Sequence, residues 1–255
     1  MAGAPAEWDA EAYHRLAKPQ EEWAREVLER LPLRGEETVL DAGCGSGGVT
    51  GLLLERLPQG HVIGVDGSRA MIDEARSNLE RWGERVDLRV GDLVELQLAE
   101  PVDAVFSNAT FHWIPDHEAL FRRLREAMKP GAPLVAQCGG EGNVAEFAAA
   151  IEEASALPEF AAAFEGWPTP YNFARPAITE GRLRAAGFDA ARCWLEEKPV
   201  QPDQPREFGA AAGLAPHLER LPDEQREPFI DAVMERLDQP VVFRYVRLNI
   251  DATAS

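Results

Sequence analysis

The sequence predicts an α/β fold in which a doubly wound, mostly parallel sheet is covered by helices on both faces. Apolar, strand-like runs alternate with helical stretches from residue 38 to residue 138, a pattern typical of βαβ units. The first run also ends in a glycine-rich turn at 43–48 that opens a helical stretch. Because βαβ crossovers are right-handed and ligands bind at the carboxyl ends of such strands, we expect the functional site at that edge.

Each element is predicted from a short pattern. Strands are predicted at 38–42, 61–66, 86–91, 102–107, 133–138, 189–197 and 241–250. Helices are predicted at 11–16, 20–31, 47–57, 68–82, 116–128 and 179–187, with helical stretches ending near Ser155 and Phe164. Residues 204–238 should also be helical, with breaks at Pro216 and Pro222, because proline interrupts helices.

The interruptions of this alternation predict the domain organisation. Residues 1–36 form an N-terminal helical lid, and 37–139 form the ligand-binding core. A long insertion at 140–178, after the fifth strand, ends in aromatic residues and prolines, which is typical of a cap or pocket wall. The remainder, 179–255, completes the sheet around a helical insertion at 204–238.

Composition excludes several classes of protein. The net charge of −18 disfavours binding to nucleic acid or to anionic membranes, because both need basic surfaces. Cys44, Cys138 and Cys193 are widely spaced without a C-x-x-C pair, which favours reduced thiols in a cytoplasm and no zinc or other metal site. We expect no signal peptide and no membrane span, because the chain has no basic-then-apolar start and no apolar run of about 18 residues.

The glycine turn limits the classes of ligand that this edge of the sheet can bind. Gly43, Gly45 and Gly48 fit the G-x-G-x-x-G pattern of dinucleotide-binding proteins, which is a weak signal alone. Asp41, however, lies just before this turn, and its carboxylate would repel a pyrophosphate bound there. An acid at this position suits a ligand with an ammonium group and no phosphate, such as S-adenosylmethionine (SAM).

Polar residues follow three more strands at the same edge. Asp66 ends the second strand, where an acid can accept hydrogen bonds from both ribose hydroxyls. Asp92 follows the third strand and can accept a hydrogen bond from an adenine amino group. Residues 107–113, SNATFHW, follow the fourth strand. Each acid has an alternative role in a turn or helix cap, and Ser68 rather than Asp66 is a candidate cap of the third helix.

These motifs together identify a family resemblance. DAGCGSG, GVDGS, GDL and SNATFHW resemble the motifs of class I SAM-dependent methyltransferases. From Trp23 to about Gly142 the chain resembles the trans-aconitate methyltransferase family, as do the phrase at 108–117 and the ending YVRLN at 245–249. The resemblance implies a Rossmann-like, seven-stranded sheet with the last strand antiparallel. It also implies SAM as cofactor and S-adenosylhomocysteine as product.

The resemblance also implies the cofactor-binding residues. They are Tyr13, Gln20, Trp23, Asp41, Gly43, Gly45, Asp66, Gly67, Ser68, Gly91, Asp92, Leu93 and Asn108. Gly43 and Gly45 would approach the methionine part, and Asp66 would hold the ribose. Trp23 has an alternative role in helix packing, which its periodic spacing favours.

The resemblance favours a small-molecule acceptor and O-methylation of a carboxylate, which needs no general base because it is ionised at neutral pH. His112 and Trp113, the candidate catalytic residues, would orient the acceptor, and His112 would be the base for an amine or hydroxyl. Trp167, Tyr171 and Phe173 would wall the pocket, with Arg175 as a further substrate-binding candidate; the alternative is a loop packed by its own aromatic side chains. Because the span 140–175 carries six glutamates and one basic residue, a smaller or more apolar acid fits at least as well as a tricarboxylate.

Other functions stay open at this stage. A small-molecule N- or C-methyltransferase, a nicotinamide-dependent oxidoreductase and a non-catalytic SAM-binding protein are the alternatives. An RNA or protein methyltransferase is disfavoured by the acidic charge and by the missing N/D-P-P-Y motif after the fourth strand. We expect a monomer or homodimer.

Overall fold

The protein contains one seven-stranded sheet. The computed structural model describes residues 18–255. The strands are β1 Thr38–Ala42, β2 His61–Asp66, β3 Val86–Val90, β4 Ala104–Asn108, β5 Pro133–Gly139, β6 Phe188–Val200 and β7 Phe243–Ala254. Their order in the sheet is β3-β2-β1-β4-β5-β7-β6. All pairs from β3 to β5 are parallel, whereas β7 is antiparallel to both β5 and β6.

Helices cover both faces of this sheet. They are α1 Lys18–Glu29, α2 Gly48–Arg56, α3 Arg69–Asn78, α4 His117–Glu126, α5 Ala145–Ser155, α6 Ala161–Phe164, α7 Pro176–Ala185, α8 Pro205–Gly209, α9 Ala215–Leu218 and α10 Asp223–Met234. Short 3₁₀ turns lie at Glu80–Arg85, Leu93–Glu95 and Phe111–Trp113, and a π-helical turn lies at Ala210–Leu214.

Alternate residues of the parallel strands bury apolar side chains on opposite faces. On β1, Val39 packs with α1 and α2 residues such as Leu28 and Leu53, whereas Leu40 packs in the opposite layer with Leu120 of α4. Successive side chains of a strand point to opposite faces of the sheet. A continuous apolar run therefore has its side chains buried on both faces. The predicted doubly wound class is confirmed.

The predicted helical insertions pack together into a third apolar cluster. Residues of α5, α8 and α10, including Phe147, Phe208 and Phe229, are buried against Phe243 and Tyr245 of β7. Pro216 lies in the first turn of α9 and Pro222 immediately precedes α10, which accounts for the two predicted breaks. The cluster therefore covers the end of β7 that lies beside the carboxyl edge of β5.

The predicted boundaries differ from the structure where long-range pairing decides them. β6 and β7 pair antiparallel along most of their length, so β6 extends to Val200 and β7 to Ala254, beyond the predicted ends. The predicted helix 68–82 ends at Asn78 and continues as a 3₁₀ turn through Gly83, whose φ is +54°. Across residues 18–255 no helix combines the length and apolar character that a membrane crossing requires.

Candidate active site

The glycine turn after β1 is held against β2 by backbone hydrogen bonds. The N–H groups of Gly43 and Cys44 donate to the carbonyl of Val65 at 2.8 and 3.2 Å. Gly43 has a φ of +85°, and a Cβ there would lie 2.0 Å from Oγ1 of Thr110. Only glycine satisfies both conditions, because other residues rarely adopt this conformation and their side chains would collide with Thr110.

Asp66, at the tip of β2, organises two turns. Its Oδ2 accepts the N–H of Gly45 at 2.9 Å, and its Oδ1 accepts the N–H of Ser68 at 2.9 Å, across Gly67. The Asp66 carbonyl accepts the N–H of Gly91, at 2.9 Å, from the tip of β3. Ser68 caps α3 through its hydroxyl, which accepts the N–H of Met71, so the predicted cap is confirmed. A Cβ at Gly45 would face open space, which leaves room for a ligand to approach the backbone.

Asp41 lies beneath this turn rather than on its surface. It is 1% exposed, and its Oδ2 accepts the hydroxyl of Thr50 at 2.7 Å. The pKa of Asp41 is raised to about 7, chiefly by burial; the Thr50 hydrogen bond opposes this rise and the nearby Asp66 carboxylate adds to it. A cation bound nearby would favour the ionised form.

The tips of β3 and β4 complete the edge. Asp92 caps a 3₁₀ turn, accepting the N–H of Val94 at 3.0 Å, and Leu93 beside it is buried. The Asn108 carbonyl, at the end of β4, accepts the hydroxyl of Thr110 at 3.1 Å, and the same hydroxyl lies 3.2 Å from the Gly43 carbonyl. Strand register places β3 beside β2, and β4 beside β1. The structure therefore brings the four predicted tips to one edge.

A cavity adjoins this edge beyond β4 and β5. It encloses about 470 Å³ of space between atoms, part of it open to solvent. The lining residues come from the turn after β4, from α5 and the loop before it, from the loop before α7, from the end of α8, from the π-helical turn and from β7. They are His112, Trp113, Asn143, Val144, Phe147, Ala148, Ile151, Tyr171, Phe173, Gly209, Gly213, Phe243, Tyr245 and Arg247.

His112 is held as a neutral hydrogen-bond donor. Its Nδ1 accepts the backbone N–H of Gly139 at 3.2 Å, so in the neutral ring the proton is on Nε2. Burial lowers the pKa of His112 well below its usual value, and the charges of Arg247 and His117 lower it further.

Arg247 brings a buried positive charge to the same place. It pairs with Gly139 across β5 and β7 and is 2% exposed. Its Nε donates to Oε1 of Gln137 at 3.3 Å, and its guanidinium lies 5.3 Å from the ring of Trp23. Gln137 is fixed in turn by Oδ1 of Asn249, to which its Nε2 donates at 2.9 Å.

Asn143 adds a third donor around Gly139. Its Oδ1 accepts the N–H of Val246 at 3.0 Å, which leaves the NH₂ group to donate. That nitrogen would lie 2.8 Å from a Cβ on Gly139. Arg247, His112 and Asn143 therefore converge on one end of the cavity. None of the lining residues named above is an acid.

An aromatic wall joins this end to the rest of the cavity. The Phe173 ring stacks on His112 at 5.8 Å and on Tyr171 at 5.1 Å, and Trp113 lies 5.1 Å from Tyr171. The Tyr171 hydroxyl donates to the carbonyl of Gly213, and burial raises its pKa. The predicted residues His112, Trp113, Tyr171 and Phe173 are thus brought together.

Two residues predicted in the pocket wall lie elsewhere. Trp167 packs on His217, with ring centroids 4.9 Å apart, and Arg220 lies over its face. Arg175 is exposed and pairs with Glu141 at 2.6 Å. Neither lines the cavity. Trp167 packs with other aromatic rings because such contacts bury its large apolar surface. Arg175 stays in solvent because its ion-pair partner is a surface acid.

The N-terminal predictions have mixed outcomes. Trp23 packs edge-on against Tyr245 at 5.2 Å and is buried, so its packing role is observed. Tyr13 and the side chain of Gln20 lie outside the described residues. Within 18–255, no group of three or more His, Cys, Asp or Glu is placed to hold a metal ion.

Sequence reasoning missed Arg247 and Asn143. Arg206 and Arg244, two other basic residues of the C-terminal part, pair with acids at the surface and do not line the cavity. Arg247 lies in the last strand, whose sequence also carries Arg244, Asn249 and Asp251, so no local pattern singles it out. A charged residue at a buried strand position needs a partner or a ligand.

Comparison with known proteins identifies the class of protein to which this fold belongs. Residues 39–131 match the family model described as a methyltransferase domain. The fold resembles that of Haemonchus contortus phosphoethanolamine N-methyltransferase 2 in complex with SAM, with a TM-score of 0.63 and 20% identity, covering 96% of this chain and 56% of that one. The fold and the four tips define a class I SAM-dependent methyltransferase, with SAM as its cofactor.

Two relatives identify the family within this class. The chain is 30% identical over 255 residues to the trans-aconitate 2-methyltransferase of Rhizobium etli, covering 96% of this chain and 98% of that one. It is 41% identical over 130 residues to the enzyme of the same name from Azoarcus sp. (strain BH72), a match that spans about half of each chain. The chain belongs to the trans-aconitate 2-methyltransferase family.

Proposed function

We propose that this methyltransferase transfers the methyl group of SAM to a carboxylate oxygen of a small acid, forming a methyl ester. The observation that carries this proposal is the convergence of Arg247, His112 and Asn143 on one end of a cavity whose described lining contains no acid. A cluster of donors without an acid favours an anion. The names of the relatives support the same class of acceptor.

The residues of this chain bind and orient the acceptor. When bound, SAM supplies a methyl group already activated by its sulfonium. A guanidinium holds a carboxylate through two parallel hydrogen bonds, and Arg247 would do so while Asn143 and His112 donate to the same group. Alignment alone can contribute about 7–11 kcal/mol. No proton has to be removed, because a carboxylic acid with a pKa near 4 is ionised at neutral pH.

His112 acts in this proposal as a positioning donor and not as a base. Its Nδ1 is occupied by the Gly139 N–H, and Nε2 carries the proton. Because the pKa of His112 lies well below its usual value, the ring stays neutral through the range in which most enzymes are assayed. His112 should therefore contribute no ionisation near pH 6.5 to the rate measured at saturating SAM. A His112→Ala variant should lose activity by about the same factor from pH 6 to pH 8.

The four tips would hold the cofactor. Asp66 would accept the ribose hydroxyls, Asp92 and Leu93 would contact the adenine, and Asn108 would contact the methionine amino group through its carbonyl. Asp41 would act through the turn, because it is buried beneath it. We also propose a cytoplasmic location, which the three free, buried cysteines support, and a monomer or homodimer.

A screen with labelled SAM tests the proposal. The purified enzyme is incubated with methyl-labelled SAM and matched panels of small carboxylic acids, phenols and amines, and the products are read by mass spectrometry. We expect label in methyl esters of one group of acids. Label only in methylated amines or phenols would refute the carboxylate acceptor, and stabilisation by NADH but not by SAM would refute the whole assignment.

A further inference from the structure

We infer that the acceptor carries a single carboxylate on an apolar body, and that Phe147 and Gly213 together limit the length of that body. This inference rests on the proposed carboxylate methylation and adds the chemistry of the rest of the acceptor. It follows from the way in which the cavity lining divides into two ends of different character.

The first end is polar and surrounds Gly139. The Nδ1 of His112 accepts the Gly139 N–H, Arg247 faces Gly139 across the strand pair, and Asn143 reaches the position of a Cβ there. Arg247 is the only charged side chain among the cavity-lining residues in the described part of the chain. This end matches one carboxylate.

The second end is apolar and surrounds two glycines of the helical insertion. Phe147 lies 5.1 Å from Phe243, ring to ring. A Cβ on Gly209 would lie 3.3 Å from both of these rings, and a Cβ on Gly213 would lie 2.7 Å from Cε1 of Phe147. Because the two glycines have no Cβ, the Phe147 ring can occupy this part of the cavity wall.

The end of α8 and the π-helical turn at Ala210–Leu214 that follows it present Gly209 and Gly213 to the cavity. Such turns occur mostly where a helix is locally reshaped for a function. The Tyr171 hydroxyl donates to the Gly213 carbonyl. The Tyr171 ring stacks on Phe173, which stacks in turn on His112. One aromatic wall thus connects the apolar end to the donors, so a single acceptor can contact both.

Additional carboxylates would be unfavourable at the apolar end. Burying a charged group without a partner is strongly unfavourable, and Ile151, Phe147 and Phe243 offer no hydrogen bond there. A tricarboxylate would have to place two more charges against such residues or keep them in solvent. An aliphatic or aromatic tail at this end would instead remove apolar surface of both the acceptor and the protein from water, which is favourable.

Two comparisons test the inference. In the first, hexanoate, decanoate, phenylacetate and trans-aconitate are compared as acceptors for the unmodified enzyme. We expect kcat/KM for the best monocarboxylate to exceed that for trans-aconitate by at least about tenfold, as expected when charges enter an apolar site. A preference for trans-aconitate would overturn the inference and leave the carboxylate proposal standing. Failure with every acid would refute the carboxylate proposal itself.

In the second comparison, Gly213→Ala pushes the Phe147 ring into the cavity. The KM for decanoate should rise about tenfold or more, while that for hexanoate changes less than about threefold. Gly181→Ala is the matched control, because Gly181 lies in α7 with open space around its Cβ position. Phe147→Leu should act in the opposite direction and lower the KM for decanoate, a test that stands even if Gly213→Ala does not fold. Equal effects on both acids would contradict the inference.

Discussion

The cofactor edge and the acceptor cavity lie side by side but have opposite electrostatic character. At the tips of β1 to β3 the functional side chains are acids, Asp41, Asp66 and Asp92, which suit a positively charged ligand. In the cavity they are donors, Arg247, His112 and Asn143, which suit an anion. Methyl transfer from a sulfonium to a carboxylate neutralises both charges, and a dry pocket favours such a reaction. The contrast accounts for both parts of the site with one reaction.

The largest effect is expected at Asp66. Asp66→Ala removes the acceptor of the Gly45 and Ser68 N–H groups as well as the proposed ribose contact. Hydrogen bonds to a charged group contribute about 1.5–3 kcal/mol each, so the Kd for SAM should rise at least about a hundredfold. The rise in melting temperature that SAM causes should largely disappear.

Asp73→Ala provides the control for this variant. Asp73 lies in the adjacent helix α3 and pairs with Arg76 at the surface. It should leave the SAM-induced shift intact. If SAM stabilised the Asp66→Ala protein as strongly as the unmodified protein, the strand tips would not be the cofactor-binding site.

The next effect should be confined to the acceptor. Arg247→Met removes the buried guanidinium, and truncating one partner of a buried charged contact costs about 2–5 kcal/mol. The kcat/KM for the acid should fall about thirtyfold or more while the Kd for SAM changes little. Steady-state kinetics and calorimetry measure the two quantities separately.

Arg244→Met is the matched control on the same strand, because Arg244 is exposed and paired with Glu146. It should retain activity. If Arg247→Met instead weakened SAM binding and acid turnover equally, the two regions would not be functionally distinct.

A pH-dependent effect is expected at Asp41. Its pKa is about 7 in the folded protein and near 3.8 when solvated, so the folded state retains a proton that the unfolded chain has released. Stability therefore falls as the pH rises from about 4 to 7, and Asp41→Asn should remove this loss. The variant should gain on the order of 4 kcal/mol at pH 8 and much less at pH 4.

The same substitution should weaken SAM binding. Asparagine can still accept from Thr50 but offers no negative charge to a cation, so we expect about a tenfold higher Kd at pH 8. Melting curves at both pH values and calorimetry at pH 8 measure these changes. A variant that is less stable than the unmodified protein at pH 8 would show that Asp41 is ionised and stabilising.

The smallest effect is expected at Arg175. Its guanidinium is exposed and pairs with Glu141, and such surface pairs contribute about 0–1 kcal/mol. Arg175→Ala should keep kcat/KM for the acid within about twofold. A large loss would place Arg175 in the acceptor site and contradict the cavity described above.

The two regions also differ in how far the sequence alone could predict them. The tips of β1 to β4 depend on local patterns, in which a buried strand is followed at once by glycine, aspartate or asparagine. Parallel register then places neighbouring tips at one edge. The alternative turn role of Asp66 and the helix cap at Ser68 were therefore predicted from the sequence and are observed.

The cavity depends on contacts between distant parts of the chain. Asn143 and Arg247 are brought together by the antiparallel pairing of β5 with β7, and Phe147 is placed by glycines more than sixty positions later. Nothing local distinguishes Arg247 from Arg244, which lies three residues earlier. Trp167 was misplaced for the same reason, because its partner His217 belongs to a separate helical segment.

The fate of a labelled carboxylate tests the central claim most directly. The best acid of the panel is prepared with ¹⁸O in both carboxylate oxygens and incubated with enzyme and SAM carrying a ¹³C methyl group. We expect a methyl ester that contains the ¹³C methyl and retains both ¹⁸O atoms. Transfer of the label to a carbon, a nitrogen or a hydroxyl oxygen of the acceptor would contradict the assignment of the donor-lined cavity to a carboxylate nucleophile.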